Sequence, residues 1–252
     1  MKRKLHAGEP AFGASVMIPS PQVVEMIGAA GFDWVLLDCE HGALSLESVE
    51  LMAMAAEACG LTAIARPATN SAEHIMQVLD RGVRGVQVPH VSTAAQAREV
   101  LAAAKFHPAG RRGLAAGTRA AAYDAHGPLA EYVQKANEAT LVAIQIEERE
   151  ALDNLDALLG VEGIDVYFVG PSDLSQAMGH PGNPRAPEVA RAIDETFRRT
   201  RVAGRISGTP AAADNVQEVL GKGVRYIYTH LPRLLTAASR DYLKRAREAA
   251  GA

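Results

Sequence analysis

Asp38 and His41 follow the apolar run Phe32–Leu37, and Arg66 follows Thr62–Ala65. Gln145 and Glu147 close the run that starts at Thr140, and Asp173 stands in the turn Gly170–Asp173 just past Asp165–Val169. Glu147 and Asp173 offer oxygen ligands with open positions, a donor set that suits a hard divalent cation such as Mg²⁺ or Mn²⁺. The alternative is that each carboxylate pairs with an arginine or caps a helix. His41 lies beside Asp38 and Glu40, and an imidazole with an unperturbed pKa near ~6.5 can move a proton at neutral pH while a carboxylate orients it. Arg66 immediately precedes Pro67, which aims a planar cation at an enolate or carboxylate oxygen, with a rim salt bridge as the alternative.

These side chains can act together only if the runs that carry them lie side by side. Ala11–Ile18 reads as a first strand, and Ser20-Pro21 then starts a helix with Ser20 as N-cap. Strands are expected at Phe32–Leu37, Thr62–Ala65, Val83–Val88, Thr140–Ile146, Asp165–Val169, around Arg205–Ser207 and at Tyr226–Thr229. Helical stretches separate them: Leu46–Cys59, Ser71–Asp80, Ser92–Lys105, Pro128–Asn137, Ala151–Leu159, Glu188–Ala203 and Ala212–Lys222, with Leu231–Ala249 closing the chain. Repeated strand–helix units of this length argue for an α/β fold of the (β/α)₈ TIM-barrel type over residues 1–252, because right-handed crossovers leave few other closed arrangements. An open doubly wound sheet is the runner-up, but Met17-Ile18-Pro19-Ser20 is not the glycine fingerprint it would want. In the barrel, polar residues past the strand ends share one rim. The irregular segment from His107 to about Gly127 carries Arg111, Arg112 and Arg119; it reads as solvated charge, with a cationic lid over an acidic substrate as the alternative.

Composition narrows the function. The 26 basic and 29 acidic residues give a net charge of −3, which provides no basic field for nucleic acid. No apolar run reaches the eighteen or so residues of a membrane span, and the start lacks the apolar stretch of a signal peptide. With two cysteines, Cys39 and Cys59, no disulfide framework is possible, so a cytoplasmic setting is expected. Cys39 itself reads as a small packing residue. The six lysines, at 2, 4, 105, 135, 222 and 244, all fall in termini, helices or helix ends, which disfavours an imine-forming aldolase. Gly208-Thr209-Pro210 and His230-Leu231-Pro232 lack the paired glycines of a barrel phosphate site, so a phosphorylated substrate is disfavoured.

The chain resembles the class II, metal-dependent pyruvate aldolases of the HpcH/HpaI family, typified by 4-hydroxy-2-oxoheptanedioate aldolase. The markers are Gly31-Phe32-Asp33-Trp34 running to Asp38-Cys39-Glu40-His41, then Arg66-Pro67, Gly110-Arg111-Arg112-Gly113, Gln145-Ile146-Glu147, Gly170-Pro171-Ser172-Asp173-Leu174-Ser175, and Met178-Gly179-His180-Pro181-Gly182. The resemblance implies that Glu147 and Asp173 bind Mg²⁺ or Mn²⁺, with Co²⁺ a further option, and that Asp38 acts toward the metal through a water. It implies His41 as the base, Arg66 as the group stabilising the enolate oxygen, and Asp80 as the residue that raises the basicity of the histidine. Asp80, however, sits late in a helix that should end at the opposite rim. Gln145, Ser172, Asp173 and Arg66 would contact the substrate.

The implied activity is reversible cleavage of a 4-hydroxy-2-oxoacid to pyruvate and an aldehyde through a pyruvate enolate held at the metal, as in aromatic compound catabolism. The implied assembly is a homo-oligomer, a hexamer built as a trimer of dimers, with the C-terminal helix exchanged between subunits. Ser172 and Gly208-Thr209-Pro210 depart from the family's usual alanine and Ile-Leu-Ser, which makes the pocket more polar. Oxaloacetate decarboxylation at the same site is a close rival. A non-catalytic ketoacid-binding barrel and a sugar-phosphate isomerase are more distant ones.

Overall fold

The computed structural model describes residues 1–125 and 127–251; His126, within the irregular segment, and Ala252 lie outside that description. Eight parallel strands close into a barrel in sequence order, β1 pairing with β8. They are β1 (Ala11–Val16), β2 (Trp34–Asp38), β3 (Thr62–Arg66), β4 (Gly85–Val88), β5 (Leu141–Ile146), β6 (Val166–Val169), β7 (Ile206–Pro210) and β8 (Tyr226–His230). The helices are α1 (Lys2–His6), α2 (Pro21–Ala29), α3 (Leu46–Ala58), α4 (Ala72–Asp80), α5 (Ala94–Ala104), α6 (Leu129–Ala139), α7 (Arg149–Asp153), α8 (Leu155–Leu159), α9 (Pro171–Ala177), α10 (Pro187–Val202), α11 (Val216–Gly221) and α12 (Leu231–Ala250).

Local chemistry sets the helix starts. Ser20, Ser45, Ser71 and Thr93 each accept a backbone N–H of the first turn that follows, and Thr93 with Gln96 forms a reciprocal capping box. The expected helix Ala151–Leu159 is two short helices that meet at Asn154, whose side chain donates to the Ser92 carbonyl at 3.0 Å. The segment expected as a turn at Gly170–Asp173 opens α9 instead, with Pro171 in its first turn.

Two apolar layers hold the barrel. Val35, Leu37, Ala63, Ala65, Val86 and Val88 point outward to the helices. Trp34, Leu36, Ile64, Phe168, Tyr226 and Tyr228 fill the interior. Alternation along each strand produces the two sets. Trp34 lies 4.1 Å from Tyr226 between ring centroids, and Phe168 stacks on Tyr228 at 5.2 Å. Gly13 faces the Trp34 indole so closely that any side chain there would collide with it. Helix α1, which strand and helix patterns did not foreshadow, inserts Leu5 into the base of this interior. Lys4 fixes it to Asp33 at 2.7 Å, and His6 fixes it to Asp165 at 2.8 Å.

Candidate active site

The carboxyl ends of β2 and β3 supply the first pair. Asp38 and Arg66 are partners in strand register, and both are buried. Arg66 Nε donates to Asp38 Oδ1 at 2.9 Å while Nη2 donates to Oδ2 at 2.5 Å. Burial alone would push the Asp38 carboxyl up, but the Arg66 bonds and charge, helped by the N–H groups of His41 and Glu40, hold it below the usual range. Arg66 is raised in turn, its burial outweighed by Asp38. Asp38 Oδ1 also accepts from Glu40 N at 3.1 Å and His41 N at 3.2 Å, so the aspartate ties down the turn that presents His41. The His41 ring is half exposed, with Nε2 3.8 Å from Glu40 Oε2.

From Arg66 the polar contacts continue across the barrel mouth. Arg66 Nη1 reaches Gln145 Oε1 at 3.4 Å, Gln87 Nε2 donates to the same oxygen at 2.5 Å, and Gln145 Nε2 donates to Glu147 Oε2 at 2.5 Å. Glu147 Oε1 accepts the His90 backbone N–H at 2.9 Å. Burial drives the Glu147 carboxyl upward, the His90 bond opposes this, and the negative charge of Asp173 adds to the rise.

Gly170 separates those two carboxylates from the chain behind them. A Cβ there would stand 2.9 Å from Glu147 Oε2 and 3.7 Å from Asp173 Oδ2. The absent side chain thus keeps open the space where the two carboxylates converge. Hard anionic oxygens, one of them destabilised by its like-charged neighbour, fit a divalent cation that keeps positions for water and substrate. No cluster of three or more such ligands occurs among the described residues, so this chain would leave most of the coordination shell to other molecules. Ser172, in the first turn of α9, is exposed, and its carbonyl accepts Ser175 Oγ at 2.7 Å.

His90, Gln87, Glu40 and Glu148 complete the cluster, and sequence reasoning did not single them out as site residues. His90 directly follows Val88-Pro89 at the end of β4, the same signal that marked the other site residues. Its ring spans two loops: Nε2 lies 3.1 Å from Glu40 Oε1 and Nδ1 lies 3.0 Å from Glu148 Oε1.

Two contacts raised by the sequence are not made within the chain. Asp80 ends α4 at the far rim, where Arg112 Nη2 donates to Oδ1 at 2.5 Å, and it is not brought to His41. The cationic-lid alternative for the 107–127 segment falls likewise. This segment links α5 to α6 on the way into β5, which places it at the amino rim. There Arg111 pairs with Glu99, Arg112 with Asp80 and Arg119 with Glu57. A cavity of about 590 Å³ lies at that end, lined by Arg84, Arg112, Arg119 and Tyr132. It holds none of the carboxyl rim's carboxylates.

Lys105 is also remote from the chemistry. Burial pulls its pKa down to about 8, and its ammonium donates to the Asn137 and Thr140 carbonyls at 2.6 and 2.7 Å. Cys39 is no nucleophile, since burial, with Asp38 adding to it, pushes its thiol up to about 11.

A closed parallel barrel with a carboxylate-rich carboxyl rim and a buried arginine defines the class as a barrel enzyme. The chain belongs to the family described as HpcH/HpaI aldolase/citrate lyase, whose match spans residues 16–229. It is 35% identical over 241 residues to a 2-keto-3-deoxy-L-rhamnonate aldolase from Escherichia coli, covering 95% of this chain and 90% of that one. An HpcH/HpaI aldolase/citrate lyase family protein from Burkholderia cenocepacia J2315 superposes with a TM-score of 0.92 at 28% identity, covering 98% of each chain. The citrate synthase SbnG superposes with a TM-score of 0.88 at 26% identity, covering 100% of this chain and 99% of that one. The protein is therefore a carbon–carbon lyase of the aldolase kind.

Proposed function

We propose that the protein is a class II pyruvate aldolase that cleaves a 4-hydroxy-2-oxoacid to pyruvate and an aldehyde, and runs the reverse addition. The observation that carries this reading is the convergence of Glu147 and Asp173 beside Gly170, within a polar chain that leads through Gln145 to Arg66. A divalent cation, Mg²⁺ or Mn²⁺, held by these two carboxylates supplies the Lewis acidity that lowers the pKa of a 2-oxoacid's methyl protons.

The chain's own groups do the rest. Gln145 and the Ser172 backbone orient the ketoacid, and Arg66 places its guanidinium toward the oxygen that gains charge. His41 takes the methyl proton for addition and returns it after cleavage. Asp38 holds both Arg66 and the His41 turn in place, and it would act toward the cation only through a water. A role for Asp80 on His41 would require the contact to cross between subunits.

The 4-hydroxy-2-oxoheptanedioate-like substrate and the rhamnonate-derived substrate named for the Escherichia coli relative share the C1–C4 portion that this half of the site would handle. Oxaloacetate decarboxylation would use the same groups. We place the chain as one barrel domain in a homo-oligomer, a hexamer built as a trimer of dimers. Support comes from α12, which buries no residue of its own and leaves Leu234, Leu235, Tyr242 and Leu243 exposed. Free thiols at Cys39 and Cys59 fit a reducing cytoplasm. No described helix is long and apolar enough to cross a membrane.

The test is loss of the pyruvate methyl signal by NMR in D₂O with Mg²⁺ or Mn²⁺, then with EDTA. Exchange that needs the metal is expected. Absence of exchange in both states would overturn the aldolase reading.

A further inference from the structure

Cleavage of a 4-hydroxy-2-oxoacid moves two protons: one leaves the C4 hydroxyl and one arrives at C3. The groups named above account only for the second, through His41. The mouth holds a further imidazole, on β8, that has no part in that scheme.

His230 ends β8. Along that strand Tyr226 and Tyr228 face the interior while Ile227 packs outward, so alternation turns His230 inward, one level above Tyr228, at the mouth. The ring contacts agree: the imidazole stands edge-on to Tyr228 at 5.3 Å between centroids, and Tyr228 in turn stacks on Phe168. β8 and β2 lie on either side of β1, so His230 and His41 reach the mouth from opposite flanks of one strand end.

The His230 ring is unengaged. It precedes α12 without capping it, and neither nitrogen is bonded to, or ion-paired with, a described residue or sealed from solvent. His90, by contrast, has its ring nitrogens occupied by Glu40 and Glu148. Burial holds the His230 pKa below its ordinary value, Arg233 of α12 and Arg66 of β3 add to this, and Asp38 of β2 opposes them. The ring is therefore neutral near pH 7, with one nitrogen as acceptor. The influence of both Arg66 and Asp38 puts it over the space that their buried pair faces.

We propose that His230 is the base that takes the C4 hydroxyl proton as the C3–C4 bond breaks, and the acid that gives it to the aldehyde oxygen in addition. This rests on the aldolase reading above. In cleavage the O–H electron pair becomes the second bond of the C4 carbonyl, and the C3–C4 pair passes into the pyruvate enolate. His41 then protonates C3 and is recharged from solvent, to which His230 releases its proton. Two imidazoles thus divide the work, one at carbon and one at oxygen.

The experiment sets two readouts side by side: exchange of the pyruvate methyl protons in D₂O, which involves C3 alone, and cleavage of 4-hydroxy-2-oxoheptanedioate and of 4-hydroxy-2-oxopentanoate. His230→Gln keeps a hydrogen-bond donor but cannot carry the proton, and His230→Ala removes both functions; a thermal melt establishes that each is folded. Both variants should lose about 10²-fold or more in kcat/KM for cleavage, while pyruvate exchange continues at the wild-type rate. Cleavage near the wild-type rate in His230→Gln, with or without loss in His230→Ala, would make the residue a positioning donor at most and overturn the assignment. Exchange that falls in step with cleavage overturns it too, as does a wild type that exchanges yet cleaves neither acid; each of these leaves the C3 chemistry of the aldolase reading standing. Absence of metal-dependent exchange in wild type overturns both.

Discussion

Asp38 and Arg66 face each other in strand register and join through two parallel hydrogen bonds, so the carboxylate that orders the His41 turn also fixes the arginine. A fork of this kind restricts the guanidinium to one plane. The pair is sealed from water, so its loss is costly from either side.

Asp38→Asn takes the forked carboxylate from a buried guanidinium, leaving Glu40 as its remaining counter-charge, and should lower unfolding stability by about 3 kcal/mol. Urea unfolding followed by circular dichroism reads this directly. A loss below about 1 kcal/mol, as for an exposed pair, would show that the fork contributes little to the fold.

Gly170→Ala tests the metal reading without touching a ligand. The glycine has φ −93°, so alanine suits the backbone, but its Cβ would enter the space 2.9 Å from Glu147 Oε2. Mn²⁺ affinity, read by isothermal titration calorimetry, should drop by tenfold or more, while the metal-free melting temperature changes little. Unaltered affinity would move the metal away from Gly170.

Glu147 makes the metal-free protein pH-sensitive. Its folded pKa lies above the ordinary carboxylate value because burial outweighs the His90 bond and Asp173 adds repulsion. Between the unfolded value, about 4.3, and that raised value, the native state holds a proton that the unfolded chain has released. This contribution to stability is full below the unfolded pKa and is lost as pH rises through the folded one. Mg²⁺ competes with that proton, so the thermal stabilisation it gives should grow with pH over the same window. A Mg²⁺ effect independent of pH, or one equal in Glu147→Gln, would count against the assignment.

His41→Ala should suppress metal-dependent pyruvate exchange by about 10²-fold or more while leaving stability within about 0.5 kcal/mol, since the ring is half exposed. Exchange at the wild-type rate would place the base elsewhere.

Much of this was legible from residues at the ends of apolar runs. That Asp38, Arg66, Gln145 and Glu147 share one rim could be expected because a strand buried on both faces announces where it stops. His90 was missed although it follows the end of β4, because its partners Glu147 and Glu148 lie 57 and 58 residues away and no local pattern shows the contact. The α9 start was read as a turn because Gly-Pro-Ser-Asp satisfies both turn and helix-start chemistry. Barrel connectivity, rather than composition, decided the fate of Arg119: a segment that follows a helix and leads toward a strand belongs to the amino rim, however many arginines it carries.

The seating of Leu5 in the base of the barrel has a kinetic consequence. With that end stoppered and the interior filled with aromatic rings, the mouth is the route that the described residues leave for molecules to come and go. On the aldolase reading, a ketoacid seated at the depth of Gln145 would enter first and leave last, with the aldehyde outside it. The cup would therefore impose an ordered turnover, in which free aldehyde competes for a place that exists only after the ketoacid is seated.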